Sequence, residues 1–316
     1  MKKISILIPC YNESLNIRKM YSAVKKVMET LPQYDYEQLY IDNASKDNTW
    51  EIIKELAVKD KHVKGIENET NFGPGRSASY GMYQTDGDAS ICLACDFQDP
   101  PELIPKFIEK WEEGYKVVWG KKTGSKENKI MYAVRGIYYK LIKAFSKVQQ
   151  YEQVTGFGLY DKEVVERMKN SGEPSPIFRN LIADYGYRIG FVEYFQPKRE
   201  KGKSSYNFFS YFDTALQSLI NTSRLPLKLA TFCGIIVSGI SFVVAIIYLV
   251  MKLIYWNRFI AGTAPIVIGI FFLGGVQLLF LGIIGEYVGE ILTRVTNRPL
   301  VVEHERINFE GNKNES

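Results

Sequence analysis

Short runs of aliphatic and β-branched residues alternate with helical spacing along the first third of the chain. Ile4–Ile8, Gln38–Ile41, Val63–Ile66, Ser90–Cys95 and Lys116–Trp119 predict strands. Between the first two, Ile17, Met20, Tyr21, Val24, Val27, Met28 and Leu31 recur at helical spacing. Ile52, Ile53, Leu56 and Ala57 form the apolar face of a second helix, which Asp47 can cap. Further helices are predicted at 75–84 and 101–113. Alternating β and α implies an α/β fold with a mostly parallel, doubly wound sheet. In such sheets ligands bind beyond the C-terminal ends of the strands.

The pattern loosens over residues 127–200. IMYAVRGIYYKLIKAF reads as an amphipathic helix, TGFGLYDKEVVERM as a glycine-rich turn leading into a helix, and YRIGFVEYF as a strand. The segment 201–228 joins a basic loop to Tyr206–Ile220, whose aromatics suit a helix lying in a membrane interface; a core helix is the alternative. Leu229–Met251 and Ile266–Gly285 are then apolar runs of about 23 and 20 residues, long enough for a hydrocarbon core of about 30 Å. They predict a two-helix transmembrane hairpin over 229–292, with buried core helices as the bland reading. Residues after Pro299 turn polar, and EGNKNES reads as disordered. The domain plan is therefore 1–200, 201–228, 229–292 and a tail at 293–316.

Charge refines this plan. Lys201, Lys203, Arg224 and Lys228 precede the first apolar run, and Arg294, Arg298 and Arg306 follow the second. Only Lys252 and Arg258 lie between, so both termini are expected in the cytoplasm, in a multi-pass protein of the plasma (inner) membrane. The opening MKKISILIPCYNE reads as a first strand rather than a leader. The net charge of +5 is modest; the basic residues near the apolar runs suit an anionic leaflet, and no basic-aromatic array suggests nucleic acid. Cys10, Cys92, Cys95 and Cys233 show no framework spacing and read as reduced thiols. His62 and His304 have no partners for a histidine-based site.

Polar groups gather at each predicted strand end. PCYNE brings Asn12 and Glu13, DNASKDNT brings Asp42 and Asn43, NETNFGPGR brings Asn71, Gly73 and Arg76, and DFQD brings Asp96, Gln98 and Asp99. One such cluster is ordinary turn chemistry. Four on successive strands point to a ligand crevice. No G-x-G-x-x-G follows the first strand and no P-loop is present, so a dinucleotide cofactor is not favoured.

SILIPCYNE, YIDNASKDNT, NFG, DFQDPPE, REKGKSSY and GEYVGEILTRVTNRP, in this order from about residue 3 to 300, resemble the polyprenyl-phosphate (undecaprenyl- or dolichyl-phosphate) glycosyltransferases of glycosyltransferase family 2. The resemblance implies a GT-A, Rossmann-like catalytic domain. It implies inverting transfer of a sugar from a nucleotide-sugar, with a UDP-sugar favoured, to a polyprenyl phosphate at the cytosolic leaflet. It also implies Mg²⁺ or Mn²⁺ and a homo-oligomer. Pro9, Tyr11, Glu13 and Asp42 would line the base and ribose pocket, Asp96 and Gln98 would hold the metal, and Arg199, Lys203, Ser204 and Tyr206 would close over the phosphates. Lys122 falls at a phosphate-facing position. Asp96, Asp99 and Arg199 are the candidate catalytic residues. Asn12, Asn43, Asn71, Gly73 and Arg76 complete the candidate donor site.

A phosphate-ester nucleophile is mostly dianionic at neutral pH, so no histidine base is required. Asp96 and Gln98, two apart on an extended segment, are expected to face the same way. Three motifs depart from the family pattern. Ala94 stands where a D-x-D-x-Q motif has its first acid, Asn43 replaces the second acid of an Asp-Asp pair, and Gly156 and Gly158 replace the Asp and Arg of G-D-F-R-L. These departures keep a catalytically silent nucleotide-sugar-binding scaffold open. A processive polysaccharide synthase lacks its Q-x-x-R-W here.

Overall fold

The computed structural model describes residues 1–124, 151, 153–173, 178–197, 225–254, 263–296 and 298–309. Two compact units emerge: one carries a β-sheet and takes in the residues from Asn297 onward, the other carries two long helices. The predicted helices at 130–145 and 206–220 lie outside the described residues.

In the first unit the chain runs β1 (Lys2–Cys10), α1 (Ile17–Met28), β2 (Tyr34–Asp42), α2 (Thr49–Lys59), β3 (Val63–Asn68), α3 (Pro74–Tyr83) and β4 (Ala89–Cys92). A single turn at Pro101–Leu103 leads into α4 (Ile104–Glu112), followed by β5 (Val117–Gly124), β6 (Val154–Asp161), α5 (Lys162–Lys169), α6 (Phe178–Tyr185) and β7 (Ile189–Phe195). The strands form one eight-stranded sheet in the order β7-β5-β6-β4-β1-β2-β3, with β8 (Glu303–Ile307) beyond β3. Strands β1 to β5 and β7 run one way, while β6 and β8 oppose them. The mostly parallel α/β sheet expected from the sequence is present.

Side-chain alternation sorts the core onto two faces. Ile4, Ile6 and Ile8 of β1 join Ile17, Met20 and Val24 of α1 and Phe107 of α4 on one face. Leu7 joins Leu39, Ile41, Met82 and Val164 on the other. Each such fully buried side chain is worth about 1.5–3 kcal/mol relative to exposure. The register places Cys10 beside Asp42, and Asp42 beside Glu67, so the C-terminal strand ends lie in line.

Two expectations are corrected. The glycine-rich segment Val154–Asp161 is a strand, hydrogen-bonded between β4 and β5, rather than a turn. The strand expected over Ser90–Cys95 stops at Cys92, because the chain turns at 95–99. Beyond Pro299, β8 pairs antiparallel with β3, and EGNKNES lies outside the described residues.

The second unit holds α7 (Leu225–Ile254, 30 residues) and α8 (Thr263–Val295, 33 residues). Large apolar side chains such as Phe232, Phe242, Phe272 and Leu278 are exposed along them. Among the described residues one stretch, Phe272–Val295, is long and apolar enough to cross a membrane by length and composition. It starts later than the expected Ile266–Gly285. Among the described residues of α7 the apolar stretch is Ala230–Val244, within the expected Leu229–Met251.

Candidate active site

The ends of β1 and β2 are cross-stitched. Asn12 and Ala44 take left-handed backbone conformations, with φ of 56° and 59°. Asn, unlike Ala, visits this region readily. The Asn12 N–H donates to Ser45 Oγ at 2.8 Å, and the Lys46 N–H donates to Asn12 Oδ1 at 2.8 Å. Glu13 is buried; its N–H donates to Thr49 Oγ1 and its Oε2 accepts from Asn16 Nδ2. Asp42 is fully buried and accepts from the Ser45 hydroxyl and N–H. Burial pushes its carboxyl up to about 6, with Ser45 holding it from rising further. Pro9 and Tyr11 flank this corner, half-buried.

Beside it lies a chain of amides. Asn68 Nδ2 and the Phe72 N–H both donate to Asn43 Oδ1, each at 3.0 Å. Asn43 Nδ2 donates to Asn71 Oδ1 at 2.9 Å, which also accepts the Gly73 N–H at 2.9 Å. Gly73 has φ 85°, a conformation L side chains rarely adopt, and it delivers the chain to Pro74 at the first position of α3. Arg76, expected toward a ligand, donates from Nε to the Leu300 carbonyl at 2.9 Å and from Nη2 to the Pro299 carbonyl at 2.8 Å.

DFQD forms a tight turn after β4. Phe97 is left-handed at φ 61°, and the Gln98 N–H donates back to Asp96 Oδ1 at 3.1 Å. Such an Asx turn replaces the extended segment expected for Asp96 and Gln98: the short carboxylate mimics a backbone acceptor two residues on. Asp96 and Asp99 are both buried. Asp99 Oδ2 accepts the Ala94 N–H at 3.1 Å, and its Oδ1 accepts the Tyr194 hydroxyl at 3.2 Å. Burial lifts the Asp99 carboxyl to about 6, against the Ala94 N–H, the Lys122 charge and the Tyr194 hydroxyl.

A buried carboxylate, an amide chain and an acidic turn all lie at the C-terminal ends of parallel strands, where sheets of this class carry their ligand crevice. The family model "Glycosyl transferase family 2" matches residues 5–169. The chain belongs to glycosyltransferase family 2. Relatives align over nearly the whole length. The uncharacterized glycosyltransferase YkcC of Bacillus subtilis is 34% identical over 98% of this chain and 95% of its own. The bactoprenol glucosyl transferase of Shigella phage SfII is 34% identical over 94% and 96%. Among solved structures, the glucosyl-3-phosphoglycerate synthase of Mycobacterium tuberculosis, in complex with Mn²⁺, UDP and phosphoglyceric acid, is 15% identical, with a TM-score of 0.47 over 70% of this chain and 77% of its own.

In this glycosyltransferase the sheet is the GT-A, Rossmann-like fold. Among the described residues no three His, Cys, Asp or Glu side chains gather into a metal cage. Asp96 and Gln98 offer instead one carboxylate and one amide oxygen on a single turn. That hard, sparse donor set fits a divalent ion whose shell is completed by substrate phosphates and water. Arg199, Lys203, Ser204 and Tyr206 lie outside the described residues. Sequence reasoning passed over Ser45, Asn68 and Tyr194. Ser45 was within reach, since an Asp-x-x-Ser turn commonly closes on itself. Tyr194 reaches Asp99 from a strand 95 residues away and leaves no local signal.

Proposed function

We propose that the protein transfers a sugar, with inversion, from a nucleotide-sugar to a polyprenyl phosphate, on the cytosolic leaflet of the plasma membrane. One observation carries the reading: nearly the whole chain, helical unit included, aligns with proteins named as bactoprenol glucosyl transferases. A UDP-sugar is the favoured donor, the bilayer holds the acceptor, and a homo-oligomer is the expected assembly. The second apolar helix completes a two-span anchor.

The crevice supplies the parts such a transfer needs. Asp42, with Pro9, Tyr11 and Glu13 beside it, binds the base and ribose. Asp96 and Gln98 hold Mg²⁺ or Mn²⁺, which when bound neutralises charge on the diphosphate. Lys122, Arg199 and Lys203 add fixed positive charge for the leaving group, while Ser204 and Tyr206 help close over it. The phosphate acceptor is mostly dianionic at pH 7, so the protein's task is to orient it and exclude water rather than to remove a proton.

A transfer assay tests this. Detergent-purified protein is given undecaprenyl phosphate and a panel of labelled UDP- and GDP-sugars, with Mg²⁺ or Mn²⁺ and then with chelator. Label is expected in the lipid phase for one donor, and lost on chelation and in Asp96→Ala. Nucleotide binding without transfer from any donor would favour a silent binding protein.

A further inference from the structure

We infer that Asn43 is a positioning residue. It fixes the Asn71–Gly73 turn against the Asp42 corner and thereby sets affinity for a nucleoside diphosphate without touching it. This rests on the donor-pocket reading above and adds a role within it.

The hydrogen-bond pattern leaves little freedom. Backbone N–H groups only donate, so the Phe72 N–H requires an acceptor and fixes Asn43 with its oxygen toward residue 72. By the same logic the Gly73 N–H fixes Asn71 with its oxygen inward. The two amides then meet as donor and acceptor, Asn43 Nδ2 to Asn71 Oδ1. A second donor, Asn68 Nδ2 at the end of β3, holds the same Asn43 oxygen. The backbone of Asn43 is tied as well, its N–H donating to the Cys10 carbonyl at 3.0 Å. Asn43 thus joins the end of β1 through its backbone, and the end of β3 and the turn that opens α3 through its side chain.

A carboxylate at position 43 would accept from Phe72 and Asn68 but could not donate to Asn71. It would face the Asn71 oxygen instead. If Asn71 rotated to donate, its amino group would oppose the Gly73 N–H. The asparagine at 43, where the resembling family has an acid, is therefore matched to the asparagine at 71. It also keeps a second negative charge away from the buried Asp42.

Asn43 is buried, whereas Asn71 is exposed, so the same contact can be cut from a position with no core role. The experiment measures UDP binding by calorimetry, in Mg²⁺, for full-length wild type, Asn43→Ala, Asn71→Ala and the double variant. Steady-state transfer then gives donor KM and kcat. Each single variant is expected to weaken UDP about tenfold, and the double variant by clearly less than the product of the two losses, because both break the shared Asn43–Asn71 bond. Donor KM should rise by a similar factor with kcat within about threefold. UDP affinity within twofold of wild type in Asn71→Ala, or additive losses in the double variant, would overturn the positioning role. Wild type that binds no UDP or GDP would instead overturn the donor-pocket reading on which it rests.

Discussion

Asp42 shares with Asp99 the clearest pH signature at the strand ends, both carboxyls being lifted by burial to about 6. Its carboxyl is raised by burial to about 6, from an ordinary value near 4. A raised acid favours the folded state below the unfolded pKa, and that contribution is lost as pH climbs through the folded pKa. Between pH 5 and 7 this one group should remove about 1.4 kcal/mol of stability. The melting midpoint of the wild type is expected to fall over that range, and Asp42→Asn to make the slope shallower, with Asp99 keeping its own share. An unchanged slope in the variant would assign the pH dependence elsewhere. At this scale much of the crevice was legible. Asp42, Asn43, Asn71 and Asp96 all stand beside strand ends where the alternating pattern stops. What the pattern could not show is direction: that Asn43 and Asn71 bond each other, and that Arg76 turns to the Pro299 and Leu300 carbonyls.

Among the elements, β1 to β4 were readable because each gathers apolar residues into a short run that ends in turn formers. Strand β6 was not. Its sequence VTGFGLYD interrupts the apolar run with two glycines, which ordinarily mark turns. The structure supplies the reason for one of them. A Cβ at Gly158 would lie 2.2 Å from the Val118 carbonyl oxygen and 3.0 Å from Trp119 Cα. Both are backbone atoms of β5 and cannot swing aside. Gly158→Ala is therefore expected to cost about 3 kcal/mol, read as a drop in melting midpoint or in folded yield. A variant as stable as wild type would show that β5 and β6 can part at this point. No larger side chain fits this backbone at position 158.

On the scale of the whole molecule, the least legible feature is the return of the chain to the sheet. EHERI has one apolar residue in five, the composition of a tail. Charges suit an exposed edge strand, and here they also find partners. Trp50 Nε1 donates to Glu305 at 3.0 Å, the Tyr80 hydroxyl to Glu303 at 2.8 Å, and the Glu69 N–H to the Val302 carbonyl at 2.9 Å. Asn308 Nδ2 donates to the Ala57 and Val63 carbonyls. Deleting residues 299–316 should bare the edge of β3 and leave Arg76, Trp50 and Tyr80 without these acceptors. The expected outcome is a lower melting midpoint and aggregation on size-exclusion chromatography, while a monodisperse product of unchanged stability would make β8 dispensable.

The chain leaves this sheet from β7 at one edge and comes back as β8 at the other. Because β8 is antiparallel to β3, both departures lie at the C-terminal ends of the parallel strands. Anyone wishing to study the catalytic unit in plain buffer inherits this geometry. Trimming the gene after residue 197 discards β8 along with the helices. A faithful soluble version has to splice residues 298–309 back on, with a bridge across the seven inter-strand gaps of the eight-stranded sheet, roughly 34 Å at about 4.8 Å each. In extended chain that is about ten residues at the least, and more to clear the crevice the bridge must pass.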